Sequence, residues 1–226
     1  GDAVSSILAL GLAIGKLGKK TTIYNASPIP AVYRFLPSVE RIVRHIKKAN
    51  TYDLALVLDC GDLPRVGEAT ATVSQIPMVI NIDHHISNTG FGDIQLIDPQ
   101  ACSTAEIVYR LIKAMDVPID TAMATSLYTG ILTDTGSFRF SSTNQAAFAI
   151  SQEMAEQGVE PHEVAQQVYG TYSLGRIKLL NLALDSIEIS ENGKLSITTI
   201  TDAMFEETRT QPEDADGMIN YARRIE

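Results

Sequence analysis

The spacing of apolar positions changes along the chain, and the changes mark out its elements. Residues 2–17 carry apolar side chains at helical spacing, Val4, Leu8, Leu12 and Ile14 among them, and stop at Gly18, a residue suited to the position just past a helix end. "TTIYN" (21–25) reads as a short strand, and 38–49 as an amphipathic helix with Ser38 as its N-cap. "DLALVLD" (53–59) and "MVINID" (78–83) are continuous apolar runs of strand length, as expected for strands buried on both faces. Strands alternating with helical or irregular stretches predict βαβ units, hence an α/β fold with a mostly parallel sheet flanked by helices. From Ser103 the spacing turns helical, over 103–115, 120–133, 143–157, 161–169 and 173–185. "DSIEIS" and "KLSITTIT" flank Asn192-Gly193 and read as a hairpin, followed by a short helix and a last one over 215–226. The switch near residue 186 predicts a first domain with a C-terminal helical linker over 1–185. The beginning of a smaller α/β domain would then occupy 186–226.

Both buried-strand runs finish in a carboxylate, at Asp59 and Asp83, and His84 and His85 follow the second. Ligands of open α/β sheets sit beyond the carboxyl ends of the strands, so these residues fall in one neighbourhood. Asp2 opens the first helix, and Asp134 in "GILTDTGSFRF" lies where a helix gives way to a turn. Carboxylates this close raise one another's pKa, and a divalent cation resolves the conflict. Asp and His donors suit manganese or magnesium better than zinc. Three or four carboxylates with histidine exceed the needs of one ion. A pair of metals sharing a carboxylate, activating water and steadying a phosphoryl group, is the natural chemistry. An Asp after a strand is also a common turn or N-cap residue, and Asp62 and Asp98 are assigned to that class. His45 and His162 lie on charge-rich helical stretches and read as surface residues.

Composition narrows the partners. Of 226 residues, 45% are hydrophobic, enough for a real core. The formal net charge of −9 argues against long duplex nucleic acid held on a broad basic surface. A small anionic substrate remains compatible, because bound metal reverses the sign of an acidic pocket. Cys60 and Cys102 stand far apart, which suggests neither a disulfide framework nor a cysteine zinc site and points to a reducing cytoplasm. "ILALGLAIGKL" falls well short of the ~20 residues of a membrane span, so no membrane partner is expected. The chain opens "GDAVSS" without a methionine or a preceding strand and stops at "INYARRIE" within a helical pattern, so it reads as part of a longer protein.

Together these residues resemble the DHH phosphoesterase superfamily, named for the triplet found here at Asp83, His84 and His85. "GDAVSS" resembles the end of the first motif, "LVLDCGD" the second, "IDHH" the third and "GILTDTGSFRF" the fourth. The resemblance implies Asp2, His84 and Asp134 as ligands of one metal and Asp59 as the catalytic bridging carboxylate. It makes His85 a catalytic substrate contact, as a phosphate donor or a proton carrier. The upstream histidine and first aspartate of the first motif are absent, so the chain completes one of two metal sites. Manganese is the expected ion, with magnesium or cobalt as alternatives. "DHHISN", "STAEIVYRL" and "TDTGSFRFSSTN" look most like the soluble branch of nanoRNases and adenosine 3′,5′-bisphosphate phosphatases. "PEDADGMINYARRIE" resembles the entry to that branch's DHH-associated substrate domain. Ser103 and Thr104 then read as phosphate-binding groups at a helix start, or as a plain N-cap. Arg139, between Phe138 and Phe140, reads as a phosphate partner beside a base-contacting aromatic, or as a surface arginine beside a buried aromatic pair. The expectation is a cytoplasmic two-metal phosphoesterase that trims short RNA exonucleolytically, removes the 3′-phosphate of adenosine bisphosphate, or does both. A soluble cyclic-dinucleotide (c-di-AMP) phosphodiesterase is the alternative. A manganese-dependent pyrophosphatase, a RecJ-type exonuclease or a non-catalytic nucleotide-binding protein fits less well. A homodimer is compatible with the sequence.

Overall fold

A buried helix organises the N-terminal part of the chain. α1 (Asp2–Lys16) is covered on most of its circumference, with Val4, Leu8, Ala9, Leu10 and Ala13 all in the core. It ends as its sequence predicts. Gly18 adopts φ 74°, its N–H donates to Gly15 O, and the Lys19 N–H donates to Ile14 O, which caps the orphan carbonyls. The computed structural model describes residues 1–170 and 172–225, so Glu226, in the helix expected over 215–226, lies outside the described residues. The chain divides into a unit of Gly1–Val168 and a second of Tyr169–Glu226.

In the first unit, β1 (Ile23–Tyr24) pairs in parallel with β2 (Ile42–Val43). The helix expected over 38–49 is therefore not formed: Ser38 is left-handed (φ 66°), and 39–41 make a 3₁₀ turn leading into β2. Val39, Ile42, Val43 and Ile46 mimic a helical stripe, but β-branched side chains suit a strand, and pairing with β1 decides the matter. β3 (Ala55–Leu58) leads through 3₁₀ and α2 (Thr70–Val73) turns to β4 (Val79–Asp83). β5 (Ile94–Ile97), which the sequence did not signal, completes a parallel sheet of order β3-β4-β5. Its Ile94 and Leu96 are exposed, so burial never imposed the apolar run that announces β3 and β4.

α3 (Thr104–Ala114), α4 (Thr121–Asp134), α5 (Gln145–Glu156) and α6 (Pro161–Tyr169) follow close to their expected bounds. Each of the first three starts at a side-chain cap: Ser103 accepts from Glu106 N–H, Asp120 from Met123 N–H and Asn144 from Ala147 N–H. Leu10, Ile82, Ile112, Leu127, Ile131 and Met154 are fully buried where these helices meet α1 and the sheet. No helix among the described residues is long and apolar enough to cross a membrane.

The second unit holds α7 (Leu174–Asp185), an antiparallel pair of β6 (Glu188–Ile189) and β7 (Ser196–Ile197), α8 (Asp202–Thr208) and α9 (Ile219–Ala222). The last helix is shorter than expected, because Gly217 (φ 79°) separates α9 from a 3₁₀ turn at Pro212–Ala215. Leu179, Ala183 and Met218 form the core of this unit.

α1 and α4 run antiparallel in close contact, and Gly130 sets their spacing. A Cβ there would stand 2.6 Å from Ala105 Cβ, 3.0 Å from Asp2 Oδ1 and 3.2 Å from Ser5 Cβ. Gly130→Ala is predicted to destabilise the protein by about 1–3 kcal/mol through overpacking. At ~2–4 °C per kcal/mol for a chain of this size, calorimetry resolves the loss easily. An unchanged Tm would refute the close approach.

Candidate active site

β3 and β4 finish side by side, with Leu58 aligned to Ile82 and the Asp59 N–H donating to Ile82 O at 3.0 Å. Asp59 takes the left-handed conformation (φ 53°), which costs a non-glycine residue about 1 kcal/mol and which Asp and Asn tolerate best. Its Oδ1 lies 3.8 Å from His84 Nε2 and 3.8 Å from His85 Nδ1, and accepts the Thr104 hydroxyl at 3.1 Å.

The two histidines differ in what holds them. His84 Nδ1 is 3.3 Å from the Ala101 carbonyl, which can only accept, so Nδ1 carries a hydrogen and Nε2 is the nitrogen turned toward the carboxylates. That Nε2 is 3.3 Å from Asp134 Oδ2. His85 Nδ1 instead donates to Asp83 Oδ1 at 2.7 Å, leaving its own Nε2 available. The His85 side chain is 39% exposed against 14% for His84, so His85 is the one facing solvent.

Asp2 is buried, and its carboxylate sits on the N-terminus of α3. Oδ2 accepts the Thr104 N–H at 2.6 Å; Oδ1 accepts the Ala105 N–H and the Ser6 hydroxyl, each at 3.0 Å. Two further bonds hold that helix start: Ser103 Oγ accepts Glu106 N–H, and Glu106 Oε2 accepts the N–H of Cys102, the residue before the cap, at 2.8 Å. Asn144 and Arg110 also donate to the buried Glu106, and Arg110 reaches on to Asp98. Ser103 and Thr104 are thus both fully buried, one as the N-cap and the other bonded to Asp2 and Asp59.

Ligand atoms of Asp2, His84 and Asp134 all lie within 4.8 Å of one another, as do those of Asp59, His84 and His85. Opposite ligands of an octahedral ion at ~2.1 Å stand ~4.2 Å apart, so a set gathered within 4.8 Å needs only small side-chain shifts to converge on a divalent cation. The charges call for one. Burial, then the Asp59 and Asp134 charges, push Asp2 well above the usual carboxylate range, against the pull of the Thr104 and Ala105 N–H groups. Burial also raises Asp134, where His84 opposes and Asp59 adds. At His85 burial would favour the neutral ring, but the hydrogen bond and charge of Asp83 prevail and raise its pKa. Burial would raise Asp83 too, yet hydrogen bonds from His85 and Asn88 hold it low. Cys102 offers no thiolate, since burial pushes its thiol up to about 12.

Sequence reasoning missed the residues that support this set. Asn81, fully buried in β4, donates to Val57 O and Cys60 O. Asn88 Nδ2 donates to Asn81 Oδ1 at 2.8 Å and Asp83 Oδ2 at 2.6 Å. The available signal was an amide in the middle of an otherwise apolar strand. Arg139 follows three left-handed residues, Gly136, Ser137 and Phe138 (φ 56°, 60° and 62°), directly after the Asp134 helix end. It is exposed, and its Nε donates to Gly136 O. Phe138 stacks on Phe148, with centroids 5.2 Å apart, and Phe140 is exposed, so Phe138 and Phe140 do not form a buried pair. His45 and His162 are exposed.

The sequence profile described as the DHH family, N-terminal domain, matches residues 1–131. The chain belongs to the DHH family. This DHH protein is 31% identical over 226 residues to a Thermus thermophilus protein named bifunctional oligoribonuclease and PAP phosphatase NrnA, covering 100% of the chain and 66% of the relative. It is 27% identical over 178 residues to the Bacillus subtilis protein of the same name, covering 77% of the chain and 56% of the relative. The chain therefore spans about two thirds or less of these relatives. A crystal structure of an exopolyphosphatase-related protein from Bacteroides fragilis matches with a TM-score of 0.89 and 26% identity, over 100% of this chain and 69% of its own.

Asp2, Asp134 and His85 all keep protons to higher pH in the folded state than their ordinary values imply. The folded state then binds more protons than the unfolded one, so their contribution is largest at low pH and is lost as pH rises through the raised values. The low Asp83 value acts in the opposite sense, but only around and below ordinary carboxylate pKa values. The Tm of chelator-treated DHH protein is predicted to fall between about pH 5 and pH 8. Over the same range the Tm gain on adding manganese should grow, as metal displaces those protons. A manganese increment independent of pH would contradict the assignment.

Proposed function

We propose that this DHH chain carries the metal-binding part of a phosphoesterase that trims short oligoribonucleotides exonucleolytically and removes the 3′-phosphate of adenosine 3′,5′-bisphosphate. The convergence of Asp2, Asp59 and Asp134 around His84 carries the reading. The names of the Thermus and Bacillus relatives support the substrate class. Manganese suits the donor set, with magnesium or cobalt as alternatives. Asp2, His84 and Asp134 would hold one ion, and Asp59 would bridge to a second. When bound, such ions polarise a phosphoryl oxygen and activate water.

The chain's own side chains orient the rest. Asp83 fixes the Nδ1–H of His85, so that Nε2 is presented to the substrate as a phosphate donor or as the carrier of a proton to the leaving oxygen. Thr104 serves the substrate through the Asp2 and Asp59 carboxylates it positions, Ser103 through the helix start it caps, and Arg139 is assigned to a substrate phosphate. Trimming RNA and removing a 3′-phosphate break the same kind of P–O bond with different leaving groups. Two unpaired, buried cysteines accord with a cytoplasmic location.

The test is a hydrolysis panel on the full-length protein with manganese, offering a diribonucleotide, adenosine bisphosphate, c-di-AMP and pyrophosphate. Turnover of the first two is expected; turnover of none, with metal bound, overturns the enzyme. Activity confined to c-di-AMP or to pyrophosphate reassigns the substrate. Asp59→Asn keeps a side chain that tolerates the left-handed backbone, so its fold should persist by circular dichroism. Its kcat should drop by ~10²-fold or more, the scale of losing one preorganised group that stabilises transition-state charge. Near-normal turnover would rule out a bridging Asp59.

A further inference from the structure

The chain has 27 acidic and 18 basic residues, but the basic ones are unevenly placed. Eight of them, against the single acid Glu40, fall in residues 3–52. Five of the eight, Lys16, Lys19, Lys20, Arg41 and Lys47, line one open depression of about 770 Å³ in the first unit. Its one acidic residue, Asp120, is already matched by Lys16 Nζ at 2.8 Å and by the Met123 N–H. Lys19, Lys20, Arg41 and Lys47 are exposed, and among the described residues no carboxylate lies within 4.0 Å of their charged ends.

The depression is remote from the metal ligands. Lys16 ends α1 and Asp120 caps α4, whereas Asp2 and Asp134 sit at the opposite ends of the same helices. Helices of 15 and 14 residues put roughly 20 Å between the two places at ~1.5 Å per residue.

We propose that this depression is a second binding site, for two or more linked phosphates, supplied by a nucleoside oligophosphate or by an RNA backbone. Unmatched lysine and arginine donors beside the Thr21 and Thr22 hydroxyls suit phosphate oxygens. A protein partner fits poorly: protein interfaces are depleted in lysine and built on aromatic or apolar anchors, and Leu12 is the one large apolar residue here. No aromatic side chain lines the depression, so bases have nothing to stack on and the ligand is read through its phosphates. The formal charge of −9 conceals this feature, because the acids that outweigh it lie elsewhere in the chain. The proposal stands independently of the reaction assigned to the metal centre.

The test titrates full-length protein in chelator with inorganic tripolyphosphate, a labelled 12-residue RNA and an Asp/Glu-rich peptide. Wild type is compared with the fourfold variant Lys19→Glu, Lys20→Glu, Arg41→Glu and Lys47→Glu, and with Lys19→Arg, Lys20→Arg and Lys47→Arg. The reversal variant should bind tripolyphosphate at least ~10-fold more weakly with unchanged Tm and diribonucleotide turnover, and the arginine variant should bind like wild type. A parallel loss of RNA binding, with a shallower salt dependence, identifies the backbone as the source. RNA binding that survives identifies a small oligophosphate. Equal tripolyphosphate binding by wild type and reversal variant overturns the site, and peptide binding as tight as tripolyphosphate overturns the phosphate assignment.

Discussion

The buried carboxylate of Asp2, seated on the first N–H groups of α3, is the contact on which the site depends. It ties the start of α1 to a helix 102 residues away in sequence. Hydrogen bonds to a charged group contribute about 1.5–3 kcal/mol each, and a helix N-terminus adds up to ~2 kcal/mol. Removing the carboxylate from water costs several kcal/mol, and Asp59 and Asp134 add repulsion. The raised pKa of Asp2 says that the unfavourable side wins while no cation is bound. The scaffold holds the geometry anyway, through the Ser103 and Glu106 bonds at the start of α3 and the absence of a side chain at Gly130. A cation bound there would meet carboxylates already in place, so little ordering would oppose its binding.

The same logic separates the histidines. Chemically identical rings at adjacent positions acquire different surroundings because one nitrogen of each is committed: His84 Nδ1 to the Ala101 carbonyl, His85 Nδ1 to the Asp83 carboxylate. Asp83 can do this because Asn88 and Asn81 anchor it to the turn after β3. That network also explains how β4 and β5 lie parallel with no helix between them. Thr89 N–H bonds to Gly61 O, and Asp93 bonds to both backbone groups of Val79, so the connection is fixed by its own hydrogen bonds.

What could be read from the sequence follows from how each signal arises. β3 and β4 are half-buried to buried along their length, so they appear as apolar runs interrupted only by Asn81, and their terminal carboxylates stand out against them. The capped helices were legible because Ser103, Asp120 and Asn144 mark their starts locally. The segment 38–49 was not, because its outcome rests on a partner strand nearly twenty residues earlier. β5 was not, because Ile94 and Leu96 are exposed at a sheet edge. Ser103 and Thr104 were singled out for the donor capacity of a helix start. Ser103 serves as the N-cap, whereas the donors of Thr104 meet the carboxylates of Asp2 and Asp59, and no local pattern reveals a contact across half the sequence.

Departures from local rules converge on the same place. Asp134 puts a negative charge on the C-terminal turn of α4, where the helix dipole disfavours it, and Asp59 holds a left-handed backbone. Three carboxylates crowd one imidazole. At the other ends of the same two helices the rules are obeyed: Lys16 sits at a C-terminus, Asp120 at an N-terminus, and they pair at 2.8 Å. Natural sequences keep local and global preferences consistent except where function requires otherwise. The contrast between the two ends of α1 and α4 therefore singles out the Asp2–Asp134 end without reference to any motif, because a bound cation would make that disfavoured end favourable.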